Sequence, residues 1–128
     1  MGKKYRARSM SAKAEREHTI LAAAERLLRQ TGYNEVTMQG VASEAGLAKG
    51  TIYLYFTNRE ALILGVNGVL FDRWVGKLAS CPSNLLSFDG FCEGFAQNYA
   101  EDTLFMSLTC FSEPYLQQGL DHETYIKV

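Results

Sequence analysis

The stretch Val41–Phe56, "VASEAGLAKGTIYLYF", decides the fold. Ala42 is followed four residues later by Gly46 and six beyond that by Ile52. Two helices that cross closely need a small side chain at the crossing, which Ala42 supplies, and a tight turn needs a residue tolerant of the left-handed conformation, which Gly46 supplies. Leu47, Ile52 and Phe56 then provide apolar bulk that anchors the second helix inward. This is the spacing of a helix-turn-helix. At about 100° per residue, Ile52, Tyr55 and Phe56 share the inner side, which puts Gly50, Tyr53 and Leu54 outward with Lys49 and Thr51 at their flanks. A short face that is uncharged at its centre and bare at Gly50 can enter a DNA major groove.

Helical periodicity continues on both sides of this stretch. Upstream, Ile20, Leu21, Ala24, Leu27 and Leu28 predict a helix over 11–31 that stops at Gly32. Thr37 is placed to cap a short second helix ending near Ala45, and a third spans about 49–55. Asn58 is a cap for a longer fourth helix with apolar content from Ala61, Leu62, Leu64, Val66, Val69, Leu70 and Trp74, weakened by Gly65, Gly68 and Gly76. "SCPSN" at 80–84 breaks the pattern, and the junction between two regions is expected there. Beyond it, Phe88, Cys92, Phe95 and Tyr99, then Leu104, Phe105, Leu108 and Phe111, predict two more helices before Pro114. No strand alternation or internal repeat is present, so the fold class is all-α. The expected organisation is a basic flexible arm over 1–10, a helix-turn-helix domain over 11–57, a connecting helix over 58–80 and a partial helical effector-binding or dimerisation region over 81–128.

The 128 residues are 47% hydrophobic and 21% charged, the composition of an ordinary globular protein. No uncharged apolar run approaches a bilayer span, and the basic start "MGKKYRARSM" lacks the apolar segment of a secretory signal. Cys81, Cys92 and Cys110 form no close pair, which fits a reducing compartment, so a cytoplasmic address is expected. The net charge of −1 conceals an asymmetry: residues 1–60 carry ten Lys and Arg against six Glu, while residues 61–128 carry three against eight acids. A polyanion would meet the front half.

The remaining polar residues of the front half suit a duplex backbone. Thr37 and Asn58–Arg59 lie at helix starts, where free N–H groups and the dipole favour phosphate. Tyr53 can donate its hydroxyl, Lys49 can reach a phosphate or a guanine edge, Arg59 can neutralise a phosphate, and the arm from Lys3 to Arg8 can follow the minor groove. Taken singly, each also has a plain structural role as a cap, packing group or solvated charge. Residues 15–75, with "ILAAAERLLRQTGYNEVTMQGVASEAGLAKGTIYLYFTNREAL" carrying the "GY...VT", "VASEAG" and "KGTIYLYF" segments in order, resemble the N-terminal domain of the TetR family of bacterial transcriptional regulators. The resemblance implies a homodimeric repressor of a double-stranded DNA operator, whose paired recognition helices enter adjacent major grooves. It implies Thr37, Lys49, Gly50, Thr51, Tyr53, Leu54 and Arg59 as DNA-contacting positions; Tyr55, although turned inward by the periodicity, is counted with them. Ala48 departs from the serine usual at the start of the third helix and removes a cap hydroxyl. Gly40 departs too, at roughly 1 kcal/mol of helix propensity.

For the back half the resemblance implies a pocket for a small apolar or aromatic effector, with Phe95, Tyr99, Phe105, Met106 and Phe111 as candidates; core packing explains the same aromatic stripe. In the mechanism it implies, effector binding moves the fourth helix and shifts the population away from DNA-competent dimers. Cys92 and Cys110 lack ligand-spaced partners and read as buried structural thiols, so neither a metal nor a cofactor is expected. No paired base or oxyanion donor supports an enzyme. The chain is short for the family, which leaves a second reading: a truncated helical interaction module that modulates a full-length partner without binding DNA itself.

Overall fold

The computed structural model describes residues 2–80 and 87–109, with side chains described from Ser9 onward except those of 98 and 99. The described residues are helical, with no strand among them, in two compact units, Met1–Val66 and Asn67–Val128.

The first unit opens with α1, Gly2–Thr31. The basic segment expected as a flexible arm over 1–10 is instead the first part of this helix. The reason is local: from Lys3 to Thr31 the chain contains no glycine or proline, and Lys, Arg, Ala, Met and Glu predominate, all strong helix formers. α1 ends where Gly32 takes φ 86° and donates its N–H to the Leu28 carbonyl at 3.0 Å. A single 3₁₀ turn, Tyr33–Glu35, and the extended Val36 lead to Thr37. Thr37 caps α2, Met38–Ala45, its Oγ1 accepting the Gly40 N–H at 3.0 Å. Gly46 closes α2 at φ 67°, ψ 32°, and Leu47 N–H bonds back to the Ala42 carbonyl at 2.9 Å, so the orphan carbonyls of the helix end are satisfied within the turn. α3 is Lys49–Tyr53, and α4 is Arg59–Ser80, capped by Asn58 Oδ1 accepting the Ala61 N–H at 2.8 Å.

Ile20, Ala23, Ala24 and Leu28 of α1, Val36, Met38, Val41 and Ala42 around α2, and Ile52, Phe56, Leu62, Ile63 and Val66 form the buried core of this unit. Each large aliphatic side chain buried there contributes about 2 kcal/mol by removal of apolar surface from water. Gly65, which the sequence offers only as a weak point of α4, lies where that helix comes close to the core: a Cβ there would be 2.9 Å from Leu21 Cδ2 and 3.0 Å from Phe56 Cε1. Arg26 and Glu44 join α1 to α2 at 2.9 Å, but both side chains are well exposed and the pair adds less than about 1 kcal/mol.

The second unit contains α4 from Asn67 onward, α5 over Phe88–Glu101 and a helical stretch over 103–109. Ser87 Oγ caps α5 by accepting the Gly90 N–H at 3.1 Å, and Asp102 Oδ1 accepts the N–H groups of Leu104 and Phe105 where the next helical stretch starts. Leu70, Phe105 and Leu108 are its buried apolar residues. The units divide inside α4 rather than at the break expected over 80–84, because Leu62, Ile63 and Val66 are already buried with the first core. Residues 81–84 of that break lie outside the described residues.

Candidate nucleic-acid interface

α3 begins without a side-chain cap, since Ala48 has no hydroxyl; the Thr51 N–H bonds to the Ala48 carbonyl at 3.0 Å. It ends with the N–H groups of Tyr55 and Phe56 sharing the Ile52 carbonyl. Ile52 is fully buried and Phe56 nearly so, which fixes the rotation of this five-residue helix. The opposite side is then outward: Lys49 and Gly50 are exposed, Tyr53 is 47% exposed and Leu54 79%. Thr51 and Tyr55 are half-buried. A Cβ on Gly50 would meet only open space, so nothing in the domain's own packing requires a glycine there. Thr37 is exposed at the start of α2, and while its Oγ1 accepts from Gly40 its own O–H is left to donate. Thr37 and the 49–54 face are thus surface features carried on two helices that pack against each other.

Arg59 does not join that face. Its Nε donates to the Val36 carbonyl at 2.6 Å, its Nη2 donates to the Tyr33 carbonyl, and its guanidinium carbon lies 4.6 Å from the centre of the Tyr33 ring. Nη1 is 3.6 Å from Glu60 Oε1, and the side chain is only 25% exposed. A phosphate contact was expected from its position at a helix start; the guanidinium is instead turned to two backbone carbonyls and an aromatic face within its reach. Sequence reading missed Tyr33 as its partner; the one available signal was an aromatic residue just after the glycine that ends α1.

In the second unit, two of the residues expected to bind an effector, Phe95 and Phe105, come together around Trp74, expected only as apolar content of the fourth helix. The Trp74 and Phe95 rings meet edge-on at 4.9 Å, and Trp74 and Phe105 lie 5.9 Å apart. Phe71 completes the group, 5.7 Å from Trp74 and 6.5 Å from Phe105. Phe105 is 3% exposed and Met106 half-buried, which is the placement of packing residues, while Phe95 is 39% exposed. A shallow recess nearby is lined by Leu70, Arg73, Trp74, Lys77, Asp102 and Phe105, sharing one residue with the expected set. The Tyr99 side chain and Phe111 lie outside the described residues. Cys92, expected as a buried thiol, is exposed, as are most of the described residues of α5. Cys81 and Cys110 lie outside the described residues. Among the described residues no group of three or more His, Cys, Asp or Glu could hold a metal ion, and no helix is long and apolar enough to cross a membrane.

Residues 20–66 match the family model for bacterial regulatory proteins of the tetR family. The chain is 37% identical over 59 residues to the HTH-type transcriptional regulator EthR of Mycolicibacterium smegmatis, covering 46% of this chain and 27% of that protein. It is 35% identical over 106 residues to the HTH-type transcriptional regulator AlkX of Mycobacterium tuberculosis, covering 78% of this chain and 50% of that one. The chain therefore spans no more than about half the length of these curated relatives. A TetR-family transcriptional regulator from Haemophilus influenzae superposes with a TM-score of 0.57 at 25% identity, over 80% of this chain and 58% of that one. One from Streptomyces coelicolor, 20% identical, shares the fold with a TM-score of 0.62 over 73% of this chain and 57% of that one.

Proposed function

The chain belongs to the TetR family of bacterial regulatory proteins, and from that premise we propose that it is a sequence-specific DNA-binding transcriptional regulator, a homodimeric repressor relieved by a small apolar or aromatic effector. The observation that carries the DNA-binding part is the outward face of α3: Lys49, Gly50, Tyr53 and Leu54 are exposed while Ile52 and Phe56 hold the helix to its domain. Bare backbone at Gly50 lets the helix approach base edges closely. Lys49 supplies a cation for a phosphate or for guanine O6 and N7, Tyr53 a hydroxyl for a phosphate, and Leu54 an apolar contact in the groove. The Thr37 hydroxyl donates to the backbone beside them. Two copies place two such faces about 34–36 Å apart, one turn of the duplex. The effector role falls to the second unit, whose aromatic group around Trp74 offers apolar surface of the right kind.

Selection of bound sequences from a random duplex pool tests this reading, followed by affinity measurements on the recovered duplex at several salt concentrations. Log K should fall with log[salt] by about 0.9 for each phosphate neutralised, and a flat dependence would sink the assignment. On the same duplex, Lys49→Ala and Tyr53→Ala should each lower affinity by about 1–3 kcal/mol while the thermal unfolding midpoint stays near that of the unsubstituted chain.

A further inference from the structure

The geometry points to Arg59 as a positioning residue for DNA recognition, acting through the backbone that leads into α2 rather than by neutralising a phosphate; this rests on the DNA-binding reading above. A carbonyl oxygen has two lone pairs, and the single 3₁₀ turn Tyr33–Glu35 leaves acceptor capacity at its two ends that the Arg59 guanidinium uses. One planar fork donates to the carbonyls of Tyr33 and Val36, the first residue of the turn and the one that follows it, while the guanidinium carbon lies over the Tyr33 ring. Val36 immediately precedes Thr37, the cap of α2 and the proposed phosphate contact. Fixing the Val36 carbonyl therefore fixes the direction in which the chain leaves for Thr37 and α2, and α2 carries α3 through the Gly46 turn. With Glu60 beside it and three-quarters of its side chain covered, Arg59 is committed inward.

The two roles separate because a phosphate contact needs only a positive charge, whereas the internal role needs a planar fork and a stacking face. Lysine has the first and lacks the second. Affinity for the selected duplex, and its salt dependence, are measured for the unsubstituted chain and for Arg59→Lys, Arg59→Gln, Tyr33→Leu and Tyr33→Phe. Arg59→Lys and Arg59→Gln should both lose about tenfold in affinity, the scale of losing a well-placed contact, with the salt slope unchanged. Tyr33→Leu should lose affinity similarly although it alters no charge, and Tyr33→Phe, which keeps the ring, should bind as the unsubstituted chain does. In free protein, hydrogen exchange at the Gly40 amide, whose bond to Thr37 Oγ1 reports the start of α2, should quicken in Arg59→Lys and Tyr33→Leu. The proposal is overturned if Arg59→Lys binds normally while Arg59→Gln loses about 0.9 of slope, the signature of a phosphate contact, or if Gly40 exchange is unmoved. Absent or salt-independent binding by the unsubstituted chain overturns the DNA-binding reading itself, and this proposal with it.

Discussion

Gly65 and Gly68 are one turn apart on α4 and illustrate how differently the same residue type can be used. A methyl at Gly68 would meet open space, so alanine there gains only helix propensity, and Gly68→Ala should stabilise the chain by about 0.5–1 kcal/mol. At Gly65 the same methyl would press on Leu21 and on the edge of the Phe56 ring. Leu21 can swing aside at little cost, but Phe56 is buried and has less room. Overpacking of this kind costs about 1–3 kcal/mol, enough to outweigh the propensity gain, so Gly65→Ala should be net destabilising. Urea unfolding of the two variants checks the pair, and a higher midpoint for Gly65→Ala would show that α4 tolerates a wider approach. The inward position of Phe56 was legible from the periodicity around Ile52. The need for Gly65 was not, because Leu21 lies 44 residues earlier in the chain and no local pattern records their meeting.

At the scale of elements, legibility followed the range of the interactions involved. Thr37, Gly46 and Asn58 could be assigned from sequence because each acts on backbone within three to five residues of itself. The outward face of α3 was legible for the same reason, since Ile52 and Phe56 set its rotation. The inward bonds of Arg59 were not legible because its carbonyl partners lie 23 and 26 residues away, while its position just after a cap suggests a solvent-facing cation. The start of α1 was misread for a different reason: it has no apolar period to announce a helix, only a run of residues with high propensity and nothing to stop them. Ala48 leaves the start of α3 without a side-chain acceptor, between the capped α2 and α4. Ala48→Ser should therefore protect the Gly50 and Thr51 amides from exchange and stabilise the unit by about 1 kcal/mol. Because α3 is also the proposed reading helix, the same change should tighten binding to the selected duplex; slower exchange with unchanged affinity would mean that order in α3 does not limit recognition.

Over the whole molecule, charge is divided as the proposed function would require, with the surplus of Lys and Arg in residues 1–60 and the surplus of acids in residues 61–128. A single copy presents one short face in which Lys49 is the one cation, with Thr37 beside it, so one copy on one half-site should bind weakly. The proposed homodimer would supply the rest: once the first face is seated, the second would meet its half-site at a high effective concentration, with avidity gains of about 10²–10⁴ available without any new contact. Such a gain depends on both half-sites facing the same side of the duplex, about 10–10.5 bp from centre to centre. Inserting five base pairs between the half-sites of the selected duplex turns one to the far side and should reduce affinity to that of a single half-site. Inserting a full turn restores the facing but changes the distance, so it should recover affinity only as far as the second face can reach. Equal affinity for all three duplexes and for an isolated half-site would show that each copy reads DNA alone, and the homodimer would have to be given up while the role of α3 survived.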